Sequence, residues 1–461
     1  MSHRPHPRPY DDVLATIGWT PLIRLNRVVD GARTPVYIKV ESFNPGGSVK
    51  DRIGVAIIEA AEREGRLGPG GTIVEATAGN TGVGLAIAAA VKGYRCIFAI
   101  PDKMSAEKIR MVQAYGAEVV VTPTAVAPDD PDYYGNVAKR IAAETPGAVL
   151  ADQFFNPVNP QAHYETTGPE IWEQTGGGIT HFVAAPATGG TITGVARFLK
   201  EQKPEVKVVS GDPAGSIFAG YFATGEKGEG APYKVEGVGN DKIPSTLDFS
   251  LIDEFETVSD RDAFHMARRL TREEGLFAGG SSGLIVHVAA ELARRLDDPE
   301  ACIVCMLTDT GERYLTKLYD DAWMRENRML IPERVDARFL LSQKTAPSAG
   351  VVSVPPAASV RDVLETIAQN GVSQVPIMEG EQATGSVSEA VLLAAALRDP
   401  AALDLPVAEL AEDAFPVLPP TASLAALKQT LARRAPAVLI AEDGQVEGIL
   451  TRHDLLEYLA Q

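Results

Sequence analysis

The sequence predicts an α/β body with open, mostly parallel sheets covered by helices, followed by a smaller α+β repeat. Three observations predict it. Short β-branched runs alternate with amphipathic stretches from Val36 to about Leu318, the rhythm of strands and crossover helices. Glycine-rich loops stand where strands hand over to helices. In the last quarter, Val354-Pro355-Pro356-Ala357-Ala358-Ser359-Val360 recurs as Leu418-Pro419-Pro420-Thr421-Ala422-Ser423-Leu424, a period of ~64 residues.

The strands are exemplified by Thr72–Glu75, Val119–Val121 and Lys207–Ser210, the helices by Val55–Arg63 and Ala263–Glu274. After Pro332 the pattern weakens into a linker composition, Ser342 to Gly350. We therefore expect a catalytic body over 1–340, itself of two subdomains with a cleft between them, and a linker over 341–350. A paired module follows over 351–461, its copies at about 351–400 and 407–461. Each copy reads as a βαββα unit that cannot bury its sheet face alone.

With 461 residues the chain has room for two or three domains. Lys+Arg 43 against Asp+Glu 61 leaves −18, a field that repels phosphate backbones, so neither nucleic acid nor an anionic membrane surface is an expected partner. The longest apolar run, Val83–Val91, ends at Lys92 and is far short of the ~20 residues that span a bilayer. His3 to Pro9 lacks the apolar core of a secretory signal, so a cytoplasmic address is expected. Cys96, Cys302 and Cys305 are too few for a disulfide framework. Cys302 and Cys305 sit three apart in a strand-like run, where they face opposite sides, so buried structural thiols are expected and no metal site.

Chemistry concentrates in four loops. In Asn44-Pro45-Gly46-Gly47-Ser48-Val49-Lys50-Asp51-Arg52 a turn opens a helix. A lysine at a helix start meets the positive end of the dipole, and burial adds to the pressure toward a neutral, nucleophilic amine. Local chemistry taken alone favours a solvated surface lysine, with Asp51 and Arg52 as first-turn charges. Thr77-Ala78-Gly79-Asn80-Thr81-Gly82 follows a strand and can hold a carboxylate at a helix N-terminus, or be a capped turn. Ala187-Thr188-Gly189-Gly190-Thr191-Ile192-Thr193-Gly194 has the donors of a phosphate cradle. Its rival is a dinucleotide site with Asp212 as the ribose acid, although the glycine spacing is not G-x-G-x-x-G. Gly279-Gly280-Ser281-Ser282-Gly283 opens another helix, where Ser281 either caps it or faces a ligand nitrogen. Together, a lysine and three glycine-rich helix starts indicate a small anionic cofactor.

These segments, with Gln153, Glu236-Gly237-Val238-Gly239, Asp309 and Tyr314–Lys317, resemble fold type II pyridoxal-phosphate enzymes of the tryptophan synthase β superfamily, most closely the cystathionine β-synthases. The resemblance implies pyridoxal 5'-phosphate bound as an imine to Lys50. Asn80 would contact its 3-hydroxyl, Thr188, Gly189, Gly190 and Thr191 its phosphate, and Ser281 its pyridine nitrogen. Thr77, Gly79, Thr81, Gln153 and Gly237 would hold substrate. The implied reaction is β-replacement, serine or an O-activated serine with homocysteine giving cystathionine through an aminoacrylate. A neutral Ser281 favours elimination over transamination. The alternative within the class is a cysteine synthase using O-acetylserine or O-phosphoserine with sulfide. From other classes the rivals are an NAD-binding oxidoreductase and an idle adenosyl-ligand sensor.

The tail resembles the paired regulatory modules named after the same family, in which Thr451 and Asp454 would grip an adenosyl ligand. Their counterparts in the first copy, Ser388 and Val391, lack the carboxylate, so at most one nucleotide site is expected. A homodimer or higher homo-oligomer is implied. Three departures stand out. Ala78 replaces the family's Ser, Phe154 replaces its common Tyr, and no cysteine precedes Cys96, so haem is not expected.

Overall fold

The computed structural model describes residues 9–77, 79–102, 106–127, 129–330, 335–342, 344, 351–380, 382–433 and 435–460. Ala78, the segment before Pro9 and most of the expected linker (Gln343 and Thr345 to Gly350) lie outside them. The chain forms two compact units, Met1–Leu330 and Ile331–Gln461.

Ten strands build the first unit: β1 Leu22–Arg24, β2 Val36–Val40, β3 Thr72–Ala76, β4 Arg95–Pro101, β5 Glu118–Thr122, β6 Ala148–Leu150, β7 His181–Ala184, β8 Lys207–Pro213, β9 Glu254–Val258 and β10 Ile303–Leu307. They fall into two sheets, β5-β4-β3-β6 and β1-β2-β10-β7-β8-β9. Every pairing is parallel except β1 with β2. Parallel sheets need helices on both faces, and β10 shows the result, since all five of its residues are buried. Its Cys305 is a buried free thiol and Cys302 a partly buried one. Burial raises both thiols, as expected of structural cysteines.

Four helices carry the chemistry described below: α1 Lys50–Arg63, α2 Asn80–Lys92, α3 Gly190–Gln202 and α4 Gly280–Leu296. Helices α1 and α2 cross backbone to backbone. A methyl group on Gly54 would lie 2.4 Å from the carbonyl carbon of Gly84, and one on Gly84 would lie 2.6 Å from the carbonyl oxygen of Lys50, so only glycine fits at either position. The expected helix Ala263–Glu274 is instead an α-helix Asp260–Arg269 that widens into a π turn over Leu270–Glu274 and stops at left-handed Gly275.

The second unit contains α5 Ala337–Ser342, α6 Val360–Asn370, β11 Gln374–Glu379, β12 Gln382–Ser388, α7 Glu389–Arg398, β13 Val417–Leu418, α8 Leu424–Arg433, β14 Ala437–Glu442, β15 Gln445–Thr451 and α9 Arg452–Ala460. The two copies have matching hairpins with the same bulge, between Ile377 and Met378 in one and Ile440 and Ala441 in the other. A shared cluster joins them, with Val351 and Ala383 packed against Phe415, Ala437 and Leu439.

One expected boundary moves. The catalytic unit ends at Leu330 rather than 340, because α5 belongs to the tail. Ala337 and Leu340 are buried among Leu427, Leu431, Val438 and Ile440, and the Ala337 amide donates to the Ala422 carbonyl at 2.9 Å. The second copy's apolar face is closed by a helix that precedes both copies in the chain.

Among the described residues, no helix is long and apolar enough to cross a membrane, and no group of His, Cys, Asp or Glu is arranged to hold a metal ion.

Candidate active site

The four helix starts converge on a cavity of about 200 Å³. Lys50, Thr77, Gly79, Asn80, Thr81, Gln153, Thr188, Gly189, Thr191, Gly237 and Ser281 all line it, although the chain separates the first from the last by more than half its length. Gly190 does not line the cavity. It faces away, where a Cβ would overlap the side chain of Asn159.

Lys50 is the first residue of α1, and its backbone is fixed from both sides. The Val49 amide donates to the Thr308 carbonyl at the end of β10 (2.9 Å), and the Lys50 amide donates to Ser48 Oγ (3.2 Å). The preceding turn is tied by the Asn44 side-chain amide, which donates to the carbonyls of Glu41 (3.0 Å) and Ser48 (3.1 Å). Burial pushes the Lys50 ammonium below the ordinary lysine range, and the charge of Asp309 only partly opposes this. The lysine is therefore biased toward its neutral form. A solvated surface lysine does not describe it, nor is Arg52 an ordinary first-turn charge, being buried between Glu41 and Glu170.

Asn80 and Ser281 do not cap their helices; the N-cap residues are Gly79 and Gly279, without side-chain caps. Asn80 Nδ2 donates instead to Asp309 Oδ2 (2.9 Å), which also accepts from the Tyr314 hydroxyl (2.7 Å). Burial raises the Asp309 carboxyl against these two donors. Ser281 Oγ lies 2.8 Å from Thr308 Oγ1, a neutral pair on the cavity wall. Thr81 Oγ1 donates to Gln153 Oε1 at 2.6 Å, which ties the start of α2 to the turn at Gln153.

At α3, Gly189 takes φ +85°, a left-handed turn that leaves no room for a side chain beside Leu247. The amides that follow stand at a helix N-terminus, where phosphate binds well. Sequence reasoning missed what stands behind this loop. Asn159 Nδ2 donates to Thr188 Oγ1 (3.0 Å), and His163 Nε2 lies 3.2 Å from Thr191 Oγ1. Burial, with the nearby charges of Arg52 and Lys50, holds His163 well below its ordinary range, so it stays neutral. Neither residue belongs to a motif, and no local signal would have found them.

Asp212, the acid of the dinucleotide alternative, does not line the cavity. It accepts from the Ala219 amide (2.9 Å) at a neighbouring helix start. In the tail, Thr451 and Asp454 are brought together, but bonded to each other: Asp454 Oδ2 accepts from both the Thr451 amide and its hydroxyl (2.7 Å each), and from Lys344 Nζ (3.1 Å).

The cavity fits pyridoxal phosphate. It is lined by an amine without a hydrogen-bond partner among the described residues, a glycine cradle with hydroxyls, and a neutral hydroxyl pair.

Comparison with known proteins agrees. The profile of the pyridoxal-phosphate dependent enzyme family matches residues 13–309, and that of the CBS domain matches 344–398 and 407–461. Cystathionine beta-synthase of Oryctolagus cuniculus is 38% identical, over 98% of this chain and 86% of its own length. The Dictyostelium discoideum enzyme of the same name is 37% identical over 97% and 92%, and the Saccharomyces cerevisiae one 39% over 84% and 81%. Among solved structures, O-ureido-L-serine synthase superposes with a TM-score of 0.62 and 41% identity, over 69% of this chain and all but 1% of that one, covering 99%. A hydrogen sulfide-producing enzyme from Fusobacterium nucleatum gives 0.61 and 36%, over 67% and 100%. A lysine-bearing cavity of this composition and these relatives lead to one conclusion: the chain is a pyridoxal-phosphate dependent enzyme and belongs to the cystathionine beta-synthase family.

Proposed function

We propose that the enzyme joins serine, or an O-activated serine, to homocysteine and releases cystathionine. The observation that carries this reading is the partly buried Lys50 amine, without a side-chain hydrogen-bond partner among the described residues, on the wall of the cavity that ends in the Thr188–Thr191 cradle. When bound, pyridoxal phosphate supplies an electron sink for a negative charge on the substrate's α-carbon. Lys50 Nζ, biased toward its neutral form by burial, takes the proton from that carbon and later returns it. The Thr77 hydroxyl and the backbone amides of Gly79 and Thr81 bind the α-carboxylate, while the Thr81 hydroxyl donates to Gln153, which holds that residue in place. Asn80, held by Asp309, presents its amide to the ring-side oxygen. Ser281, already paired with Thr308, cannot carry a negative charge against the ring nitrogen, so the β-substituent leaves before the α-carbon is reprotonated.

A second reading, cysteine synthesis from O-acetylserine or O-phosphoserine and sulfide, draws support from the two solved relatives, whose names concern other serine derivatives and sulfide. A matrix of three donors against homocysteine and sulfide, with products identified by mass, decides between them. Cystathionine as the dominant product supports the proposal, and cysteine alone would replace it. Borohydride reduction of the holoenzyme followed by peptide mapping should place the label on Lys50.

The same reading carries an adenosyl ligand gripped by Thr451 and Asp454 and a cytoplasmic homodimer without haem. Calorimetry with S-adenosylmethionine, AMP and ATP, light scattering and the absence of a haem absorption band test these parts separately.

A further inference from the structure

Beside the active-site cavity lies a second one, of about 280 Å³, on the other side of a thin wall. The wall consists of two short stretches whose residues alternate sides. Ala76 and Asp152 line the outer cavity, while their chain neighbours Thr77 and Gln153 line the inner one; Phe154 alone lines both. Buried Glu75 forms part of the outer floor and braces the wall, its carboxylate accepting from the amides of Ala76 (3.0 Å) and Gln153 (3.3 Å).

The outer cavity has a graded character. Tyr133, Tyr134, Phe154 and Phe155 give it aromatic walls, and the first two rings pack 4.6 Å apart. Its mouth bears both signs of charge: Lys139 and Lys242 against Asp152 and Asp241. Lys242 is held over the Tyr133 ring, 4.9 Å from its centre and 3.4 Å from its hydroxyl. Asp152 adopts φ +50°, an unfavourable conformation for a residue with a side chain, at the point where the chain turns from β6 into the wall. At about 280 Å³ the cavity has room for a molecule of amino-acid size. Opposite charges at the mouth and aromatic walls suit a zwitterion whose side chain points inward.

Resting on the proposed β-replacement, we infer that this outer cavity receives the thiol-bearing amino acid. Its carboxylate meets Lys242 at the mouth, its ammonium meets Asp152 and Asp241, and its side chain passes the edge of Phe154 toward Lys50. The inner cavity already has to hold the cofactor and the first amino acid, so a second amino acid needs a separate approach. Sulfide, with no charged ends for the mouth to recognise, needs none.

Two exposed substitutions test this in the holoenzyme, Lys242→Glu and Asp241→Lys, each compared with wild type using serine as donor. The expected result is a rise of roughly tenfold or more in KM for homocysteine, the scale of a lost charge-assisted hydrogen bond. The KM for sulfide and the absorbance change produced by serine alone should stay within about twofold. Unchanged homocysteine KM in both variants, or equal loss with sulfide, would overturn the assignment. Wild-type enzyme that makes no cystathionine would instead overturn the proposed reaction and this inference with it.

Discussion

Two cations two residues apart on the first turn of α1 have opposite fates. Arg52 donates to Glu41 through Nε (2.7 Å) and Nη2 (2.9 Å), and to Glu170 through Nη1 (2.6 Å) and Nη2 (2.7 Å). Lys39 Nζ completes the quartet, donating to Glu170 (2.7 Å) and to the Thr20 carbonyl (2.7 Å). Lys50 has no such partner and faces a cavity. Desolvation penalises both charges; the two hydrogen-bonded carboxylates on Arg52 offset the penalty, whereas the charge of Asp309 opposes it only in part at Lys50. Their difference shows that burial alone does not make an amine reactive. Burial without a hydrogen-bonded counter-ion does.

The largest test of this contrast is Lys50→Ala. Activity should fall by at least roughly a thousandfold, the combined scale of a lost base and a lost covalent anchor, while far-ultraviolet circular dichroism stays unchanged. The matching change on the other side, Arg52→Met, should cost about 3–5 kcal/mol in urea unfolding, because it strands the buried Glu41 carboxylate and leaves Glu170 with Lys39 alone. Adding Glu41→Gln should recover part of that loss. If Arg52→Met lost activity with full stability, the division of labour between the two residues would be wrong.

Acid sharpens the comparison. Burial by itself would raise the Glu41 carboxyl, but the charge and hydrogen bonds of Arg52, joined by Lys39, bring it down from 4.5 to about 2. A carboxyl lowered by folding stabilises the fold above its unfolded value, and that contribution disappears as pH falls through the folded value. Melting temperature should therefore drop between pH about 4.5 and about 2, and the drop should be shallower in Glu41→Gln. The smallest effect belongs to a pair with neither burial nor chemistry. Arg95 and Glu118 lie 2.6 Å apart with both side chains 59% exposed, so Glu118→Gln should shift stability by less than about 1 kcal/mol, and by nothing measurable in molar salt.

How much of this was legible beforehand follows the same division. The loops around Lys50, Asn80, Gly189 and Ser281 were readable because each concentrates glycine and hydroxyl residues at a strand-to-helix joint, a local pattern. Their supports were not. Arg52 with Glu170 spans 118 residues, Asn80 with Asp309 spans 229, and nothing in either neighbourhood names its partner. Gly190 reads like its neighbour, yet the winding of α3 turns it toward Asn159. The domain boundary was misplaced because 342–350 has a linker's composition, whereas α5 is short and has two buried anchors, too few to show a period. The 279–283 loop does open α4, with Gly279 at the N-cap, but the Ser281 and Ser282 hydroxyls turn to Thr308 instead of capping.

The crossing of α1 and α2 has a mechanical meaning. Where main chains touch at Gly54 and Gly84 there is no compressible side chain between them, so the first residues of the two helices, Lys50 and Asn80, behave as points on a single rigid bracket. Substitutions elsewhere in the pocket can then change which acid or thiol is accepted without altering the angle at which the amine is aimed. Selectivity becomes adjustable, and the hinge of the chemistry does not have to be rebuilt each time.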